Sequence, residues 1–253
     1  MSKDHIAIPK TTLKNFADKA SGKINFLDVK TNTIHSAFAK TFNTAENYYP
    51  KDKEGYLSAE IETVMGRLDR ALEALQNGAE EVLLPSSVRE DVIRCLAVQQ
   101  LRVPDFMHNV CSQSLFSECF PPEFFSPLHR NGSKRIEIAI AAFEKLLKSY
   151  DVNVCVIDPN DTFSFILPTS HSLTNGKNML LVLSPYRSLI LLPKSDNQKY
   201  YTTDGYLGYL QVKKYTDIEP IFLKTVASEQ KLENGKIVGL KPQLEVLQKS
   251  IDT

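Results

Sequence analysis

A chain of 253 residues, 42% hydrophobic and 24% charged, is long enough to bury a sizeable core and too apolar to be disordered throughout. Its 30 Lys and Arg balance 30 Asp and Glu, which excludes the overall cationic excess of a nucleic-acid coat protein and leaves only a local basic groove open. The 4 cysteines, Cys95, Cys111, Cys119 and Cys155, form no Cys-x-x-Cys pair, so neither a zinc knuckle nor a dithiol redox motif is indicated.

The first residues lack the apolar core of a secretory signal. The longest apolar run, Met179 to Leu183, is far shorter than the ~20 residues that cross a bilayer. The cytoplasm is the expected compartment, with no membrane partner.

Pro9 followed by Leu13, Phe16 and Ala17 predicts a short early helix. Two alternating stretches around Lys30-Thr-Asn, residues 24–29 and 33–38, predict a β-hairpin. Over 58–77, Ile61, Met65, Leu68, Leu72 and Leu75 recur at steps of three and four and define an amphipathic helix. Ser87-Val-Arg-Glu90 is a capping box that opens a second helix, and Pro104 ends or kinks it. The Pro- and Phe-rich stretch 120–127 reads as a loop, and Ser133 caps a third helix with Ile136, Ile140, Phe143 and Leu147 on its buried face.

Strand texture follows at 152–157, 162–167, 179–183 and 188–192. Asp158-Pro-Asn-Asp is turn chemistry and predicts that the first two strands pair as a hairpin. The last two are apolar on both faces, as central strands are. Residues 217–230 and 242–251 read as closing helices.

Segregated helices and strands define the α+β class. The expected architecture is an N-terminal β-hairpin, a central helical layer and a C-terminal, mostly antiparallel sheet with closing helices. It forms one domain over 1–253, with a candidate lobe boundary in the 120–132 loop.

No phosphate-binding Gly-x-x-x-x-Gly-Lys loop, Gly-x-Gly-x-x-Gly, His-Glu-x-x-His or Gly-x-Ser-x-Gly is present, which counts against nucleotide-dependent chemistry more than against hydrolases with scattered carboxylates. Of 5 histidines, none is spaced to share a metal with another on one helical face, and no cofactor is indicated. His35 reads as a surface residue of the hairpin. His171 follows a strand end in a hydroxyl-rich turn, which is either a plain turn or a site. Gln99 and Arg102, three apart, share a helical face just before Pro104. Arg102 either satisfies the last carbonyls of its helix or forms a fork for a carboxylate or phosphate, with Gln99 orienting the ligand. Tyr200, Tyr201, Tyr206 and Tyr209 have few cations among them and read as edge or turn packing rather than a base-stacking surface.

Several of these segments resemble a bacterial family known as domain of unknown function four-two-three-eight. Ile8-Pro9, Leu13-Lys-Asn-Phe-Ala17 and the hairpin over 24–38 fit its opening. Ser58-Ala-Glu-Ile-Glu62 resembles its next segment, Gln99-Gln-Leu-Arg-Val-Pro-Asp-Phe106 its Gln-x-x-Arg-Thr/Ser-Pro motif, and Leu183-Ser-Pro185 with 188–192 its Leu-Ser-Pro strand pair. Where the family has Thr-Ser-Asp-Asn-Pro, this chain has Thr169-Ser-His-Ser-Leu173, with His171 in place of the acid. If the family site uses that carboxylate as a base or metal ligand, this member has changed the chemistry.

The resemblance adds weight to Asn15, Glu62, Gln99, Arg102, Thr169, Ser170 and His171 as polar groups brought together from separate elements, either as a site or as a buried hydrogen-bond network. Two functional expectations follow. One is a hydrolase or nuclease-like effector in bacterial defence or mobile elements. It would act on a phosphate-containing ligand, with Arg102 neutralising charge, Glu62 as base or metal ligand, His171 as the titrating partner, and Asn15, Gln99, Thr169 and Ser170 binding the ligand. The other is a non-catalytic module with a degenerate site that binds a protein partner.

Overall fold

The computed structural model describes residues 3–5, 8–46, 63–67, 91, 137–138, 141–142, 145, 150–157, 159–160, 164–168, 172–175, 178–193 and 235–251. In chain order these give β1 (Lys3–His5), α1 (Lys10–Asn15), β2 (Lys23–Asp28), β3 (Thr33–Phe38) and β4 (Thr44–Glu46), then helical residues at 63–67, 91 and within 137–145. There follow β5 (Tyr150–Val156), β6 (Leu167–Pro168), β7 (Ser172–Asn175), β8 (Asn178–Ser184), β9 (Arg187–Pro193), β10 (Lys236–Gly239) and α2 (Lys241–Ile251). The strands form sheets ordered β1-β4, β3-β2-β10-β6 and β5-β9-β8-β7. Every described pair is antiparallel. This is the α+β class that segregated elements predict.

The short helix α1 starts where proline sets it. Pro9 is extended at φ −61, close to the value its ring imposes, and its carbonyl accepts the first helical bond from Leu13 N at 3.1 Å. Thr12, Leu13 and Phe16 are buried. The β2–β3 hairpin forms as its alternation predicts, in register from Lys23↔Phe38 to Asp28↔Thr33. Asp28 Oδ1 accepts from Lys30 N at 3.1 Å and Thr31 N at 3.3 Å, and Asn32 takes the left-handed φ of 48 that closes the loop.

One expected pairing is overturned. Residues 152–157 and 162–167 do not form a hairpin. β5 pairs along its whole length with β9, from Tyr150↔Pro193 to Val156↔Arg187, whereas β6 joins β10 in the other sheet. The tight β8–β9 turn at Pro185 and Tyr186 accounts for this, because its carbonyls capture both chains. Ile157 N donates to Tyr186 O at 2.8 Å and Phe165 N to Pro185 O at 2.7 Å. Phe165, Ile166 and Leu167 thereby enter the core fully buried. Their burial outweighs a local turn signal.

β8 and β9 are the central pair of their sheet, and buried residues of both parities (Leu181, Val182, Leu183; Ser188, Leu189) confirm coverage on each face. β10 is unanticipated by the sequence reading and sits between β2 and β6. Directly after it, α2 lays Leu244 and Leu247 into the core. Ile8, Leu13, Phe16, Ile24, Leu27, Val182, Val238 and Leu244 belong to one hydrophobic cluster, which joins α1 and α2 to both larger sheets.

Of the helix expected over 58–77, residues 63–67 are helical, with Val64 and Met65 buried. Asp91, in the expected second helix, pairs with Arg67 at 2.8 Å. The 120–132 loop, the tyrosines at 200–209 and the expected helix over 217–230 lie outside the described residues.

Candidate functional site

A cavity of about 140 Å³ lies where α1 faces the 63–67 helix and β8, lined by Thr11, Thr12, Lys14, Asn15, Met65, Gly66 and Leu183. The α1 contribution is a property of spacing: the pairs 11/14, 12/15 and 11/15 are three or four apart, which gathers these side chains on one side of the helix. A volume of this size is well above the roughly 10–15 Å³ that admits one water. It is below the roughly 300–1,000 Å³ of sites that enclose a drug-sized molecule.

The β8 wall is irregular. The β8–β9 register slips between Val182↔Ser188 and Ser184↔Arg187, leaving Leu183 as the extra residue of a bulge. Its carbonyl turns to α1 and accepts from Asn15 Nδ2 at 3.0 Å. Asn15 keeps its second amide hydrogen and its Oδ1 for other partners.

Thr12 is fully buried, and neither its Oγ1 nor that of Thr11 meets a hydrogen-bond partner among the described residues. A buried hydroxyl left in that state costs about 1–3 kcal/mol. On the opposite wall, a Cβ built at Gly66 meets nothing within 4 Å. Lys14 is exposed and is the charged member of the lining. No carboxylate stands among the described lining residues. The cavity surface is more apolar than polar, and the two threonine hydroxyl oxygens have almost no surface open to it. No cluster of three or more His, Cys, Asp or Glu among the described residues is arranged to hold a metal ion.

Of the residues singled out from sequence, Asn15 lines this cavity. Glu62, Gln99, Arg102, Thr169, Ser170 and His171 lie outside the described residues. His35 is exposed on β3, as expected of a hairpin rim residue. Thr11, Thr12, Lys14 and Gly66 were not anticipated. Two threonines at the start of a helix read as ordinary N-terminal residues, and only the docking of α1 beside the bulge makes them part of a cavity wall.

The fold and cavity define an α+β protein with antiparallel sheets and a small pocket between a helix and a bulged strand. The chain belongs to the family described as protein of unknown function (DUF4238), whose model matches residues 4–238. No curated protein and no solved structure matches the chain. No helix among the described residues is long and apolar enough to cross a membrane.

Proposed function

We propose that the chain is a hydrolase or nuclease-like effector acting on a phosphate-containing ligand, of the kind used in bacterial defence or by mobile elements, with its site gathered around the α1 cavity. The observation that carries this reading is the small cavity beside α1, with Asn15 on its lining tied to the Leu183 bulge. Chain neighbours bring two further candidates into the argument. Glu62 immediately precedes the helical residues that supply Met65 and Gly66, and Thr169-Ser-His171 joins β6 to β7, the strand that pairs with β8.

In this scheme water attacks phosphorus and Glu62 takes its proton or holds a metal ion. The bond from phosphorus to the leaving oxygen breaks, and protonated His171 returns a proton to that oxygen. Arg102 neutralises the phosphoryl charge, with Gln99, Thr169, Ser170 and Asn15 fixing the ligand.

The test uses the full chain with bis(p-nitrophenyl) phosphate, in the presence and absence of divalent ions. Wild-type turnover that falls roughly 10²–10⁴-fold in Glu62→Gln supports the reading. A melting temperature indifferent to metals, nucleotides and oligonucleotides, together with an Arg102→Ala variant that melts far lower, overturns it and marks Arg102 as structural.

His171, at the position where the resemblance implies an acid, favours a second reading, a non-catalytic module that binds a protein partner through a degenerate site. Stable ligand-free oligomers or complexes, with no turnover, are its expected signature.

A further inference from the structure

The edge strand β3 and its neighbour β2 present a sheet face that α2 covers along only part of its length. Ile237 and Gly239 point the same way from β10, and a Cβ built at Gly239 comes within 3.0 Å of Leu244 Cδ2, so α2 lies over that face. Across the strands, Ile237 aligns with Leu27 and Ile34, and Gly239 with Asn25 and Ser36. β10 ends at Gly239, and the next pair on the same face, Lys23 and Phe38, lies beyond it. Burial follows this division. Leu27 is fully buried and Asn25 half-buried, whereas Ser36, Lys23 and Phe38 are exposed, the phenyl residue at 46%.

The uncovered end carries a specific mixture of groups. Lys23 Nζ stands 5.3 Å from the centroid of the Phe38 ring and Lys40 Nζ 5.6 Å from it, both within cation–π range. Lys40 is placed by the turn that follows β3, where Phe38 O accepts from Thr41 N and Phe42 N. Neither ammonium forms an ion pair with a carboxylate among the described residues. Asp18, in the turn before β2, is engaged by Ser21, and Asp28 holds loop amides at the far end of the hairpin. Beside the ring, Ser36 Oγ donates to Asn25 Oδ1 at 2.7 Å, which leaves the Asn25 amide hydrogens for another acceptor.

An open aromatic ring, two unneutralised ammoniums and an amide on one sheet face match the parts of an unpaired nucleotide. The ring stacks a base, the ammoniums meet the phosphates on either side, and the amide reaches a base edge. Exposed cation–π contacts are weak, so a base displaces an ammonium from the ring and leaves it beside the backbone. A duplex hides its base faces, and an acidic peptide would use the lysines while leaving Phe38 idle. The balanced charge of the whole chain requires such binding to be local, as it is here.

We propose that the open end of the β2–β3 hairpin, with Phe38 between Lys23 and Lys40, is a binding surface for single-stranded nucleic acid. The proposal goes beyond the catalytic reading and stands without it. Where both hold, the phosphate-containing ligand is a nucleic-acid strand, and the hairpin is where that strand is gripped.

The test is fluorescence anisotropy of a labelled oligodeoxythymidylate of about 16 nucleotides, titrated with the full-length chain. EDTA is present, so that binding is read apart from metal-dependent cleavage. The single strand binds saturably and more tightly than a duplex of the same length. Phe38→Leu weakens it roughly tenfold or more with the salt dependence unchanged, and Phe38→Tyr restores it. Lys23→Gln and Lys40→Gln each lower the slope of log affinity against log salt by about 0.7. All three positions are exposed, so melting temperatures stay near that of the wild type.

No binding of the single strand, or duplex binding that is as tight, overturns the proposal. So does a Phe38→Leu variant that binds as the wild type does, or salt slopes unchanged in both lysine variants. Polyglutamate that competes as well as the oligonucleotide also overturns it and makes the surface a docking face for an acidic protein. The outcomes separate it from the catalytic reading. Phe38-dependent binding without diester turnover removes the catalysis and leaves the surface. Glu62-dependent turnover with strand affinity indifferent to Phe38→Leu removes the surface and leaves the catalysis.

Discussion

Asn15 and Leu183 stand 168 positions apart in sequence and are joined by one hydrogen bond, Asn15 Nδ2 to the Leu183 carbonyl at 3.0 Å. The bond exists because two local events coincide. α1 ends at Asn15, and β8 bulges at Leu183, so that a carbonyl released from the strand ladder meets a side-chain donor at the end of a helix. The same contact holds one wall of the cavity against another.

Breaking that contact by truncation and by charge should give different results. Asn15→Ala leaves the Leu183 carbonyl without its donor and is expected to cost about 1–2 kcal/mol in urea denaturation. Asn15→Asp sets an acceptor-only carboxylate against the same carbonyl and should cost more at neutral pH. If the aspartate variant is the more stable of the two, the amide hydrogen is not what Leu183 receives.

Two glycines make opposite predictions. At Gly66 an added Cβ meets nothing within 4 Å, and glycine inside a helix is the poorer choice by roughly 0.5–1 kcal/mol. Gly66→Ala should therefore stabilise the protein by about that amount while shrinking the cavity. At Gly239 an added Cβ lies 2.9 Å from Ile166 Cγ2 and 3.0 Å from Leu244 Cδ2. Both neighbours are fully buried, so Gly239→Ala should destabilise by about 1–3 kcal/mol. Thermal melts of the pair settle the point, and a shared sign would contradict the packing described here.

Legibility in the sequence divides along a physical line. Elements whose signal is local were readable: Pro9 starts α1, the alternation around Lys30 makes β2 and β3, and the two-faced apolarity of β8 and β9 places them centrally. Pairings decided by long-range burial were not. The turn residues after Ile157 suggest a hairpin, yet β5 goes to β9, because the Pro185–Tyr186 turn captures both Ile157 and Phe165. β10 spans only Lys236–Gly239, and its role comes from a gap between β2 and β6 that no short window of sequence reveals. The site divides in the same way. Asn15 was found through a family resemblance, whereas Thr12 becomes notable only once its hydroxyl is seen buried without a partner among the described residues.

Asp18 carries a pH-dependent contribution in the turn between α1 and β2. Its Oδ1 accepts from Ser21 N and from Ser21 Oγ, each at 2.8 Å. The backbone bond first and the hydroxyl second hold its carboxyl below the usual aspartate value. A depressed carboxylate stabilises the folded state above its unfolded pKa and loses that contribution as pH falls through the folded one. Titration followed by NMR should place Asp18 below ordinary aspartate, and Ser21→Ala should move it upward. The effect on global stability should be small, because the group is fully exposed. An unchanged Asp18 titration in Ser21→Ala would show that the serine hydroxyl contributes nothing and that the backbone bond alone holds the carboxyl down.

The last helix provides the strongest stability prediction. α2 begins beyond residue 238, where the family match ends, yet it is bound into the core at three levels. Leu244 and Leu247 are buried, Gln243 Oε1 accepts from Ser164 N at 3.3 Å, and Gln248 Nε2 donates to Asn32 O at 2.6 Å. The Gln248 contact also clamps the hairpin loop, since Asn32 Nδ2 donates back to Gln248 O at 3.4 Å. Leu244→Ala should cost about 2–5 kcal/mol, the range for a leucine cut from a tight core. Gln248→Ala should cost about 0.5–1.5 kcal/mol as a hydrogen-bond loss. Both act through the seating of one helix, so the double variant should lose less than the sum of the two, with a coupling of about 0.5 kcal/mol or more. A chain ending at residue 240 would expose the apolar surface beneath Leu244 and should lose its cooperative melt. A truncated chain that melts as sharply as the full one would mean that α2 is only laid on the sheet, and that Leu244 contributes far less than its burial implies.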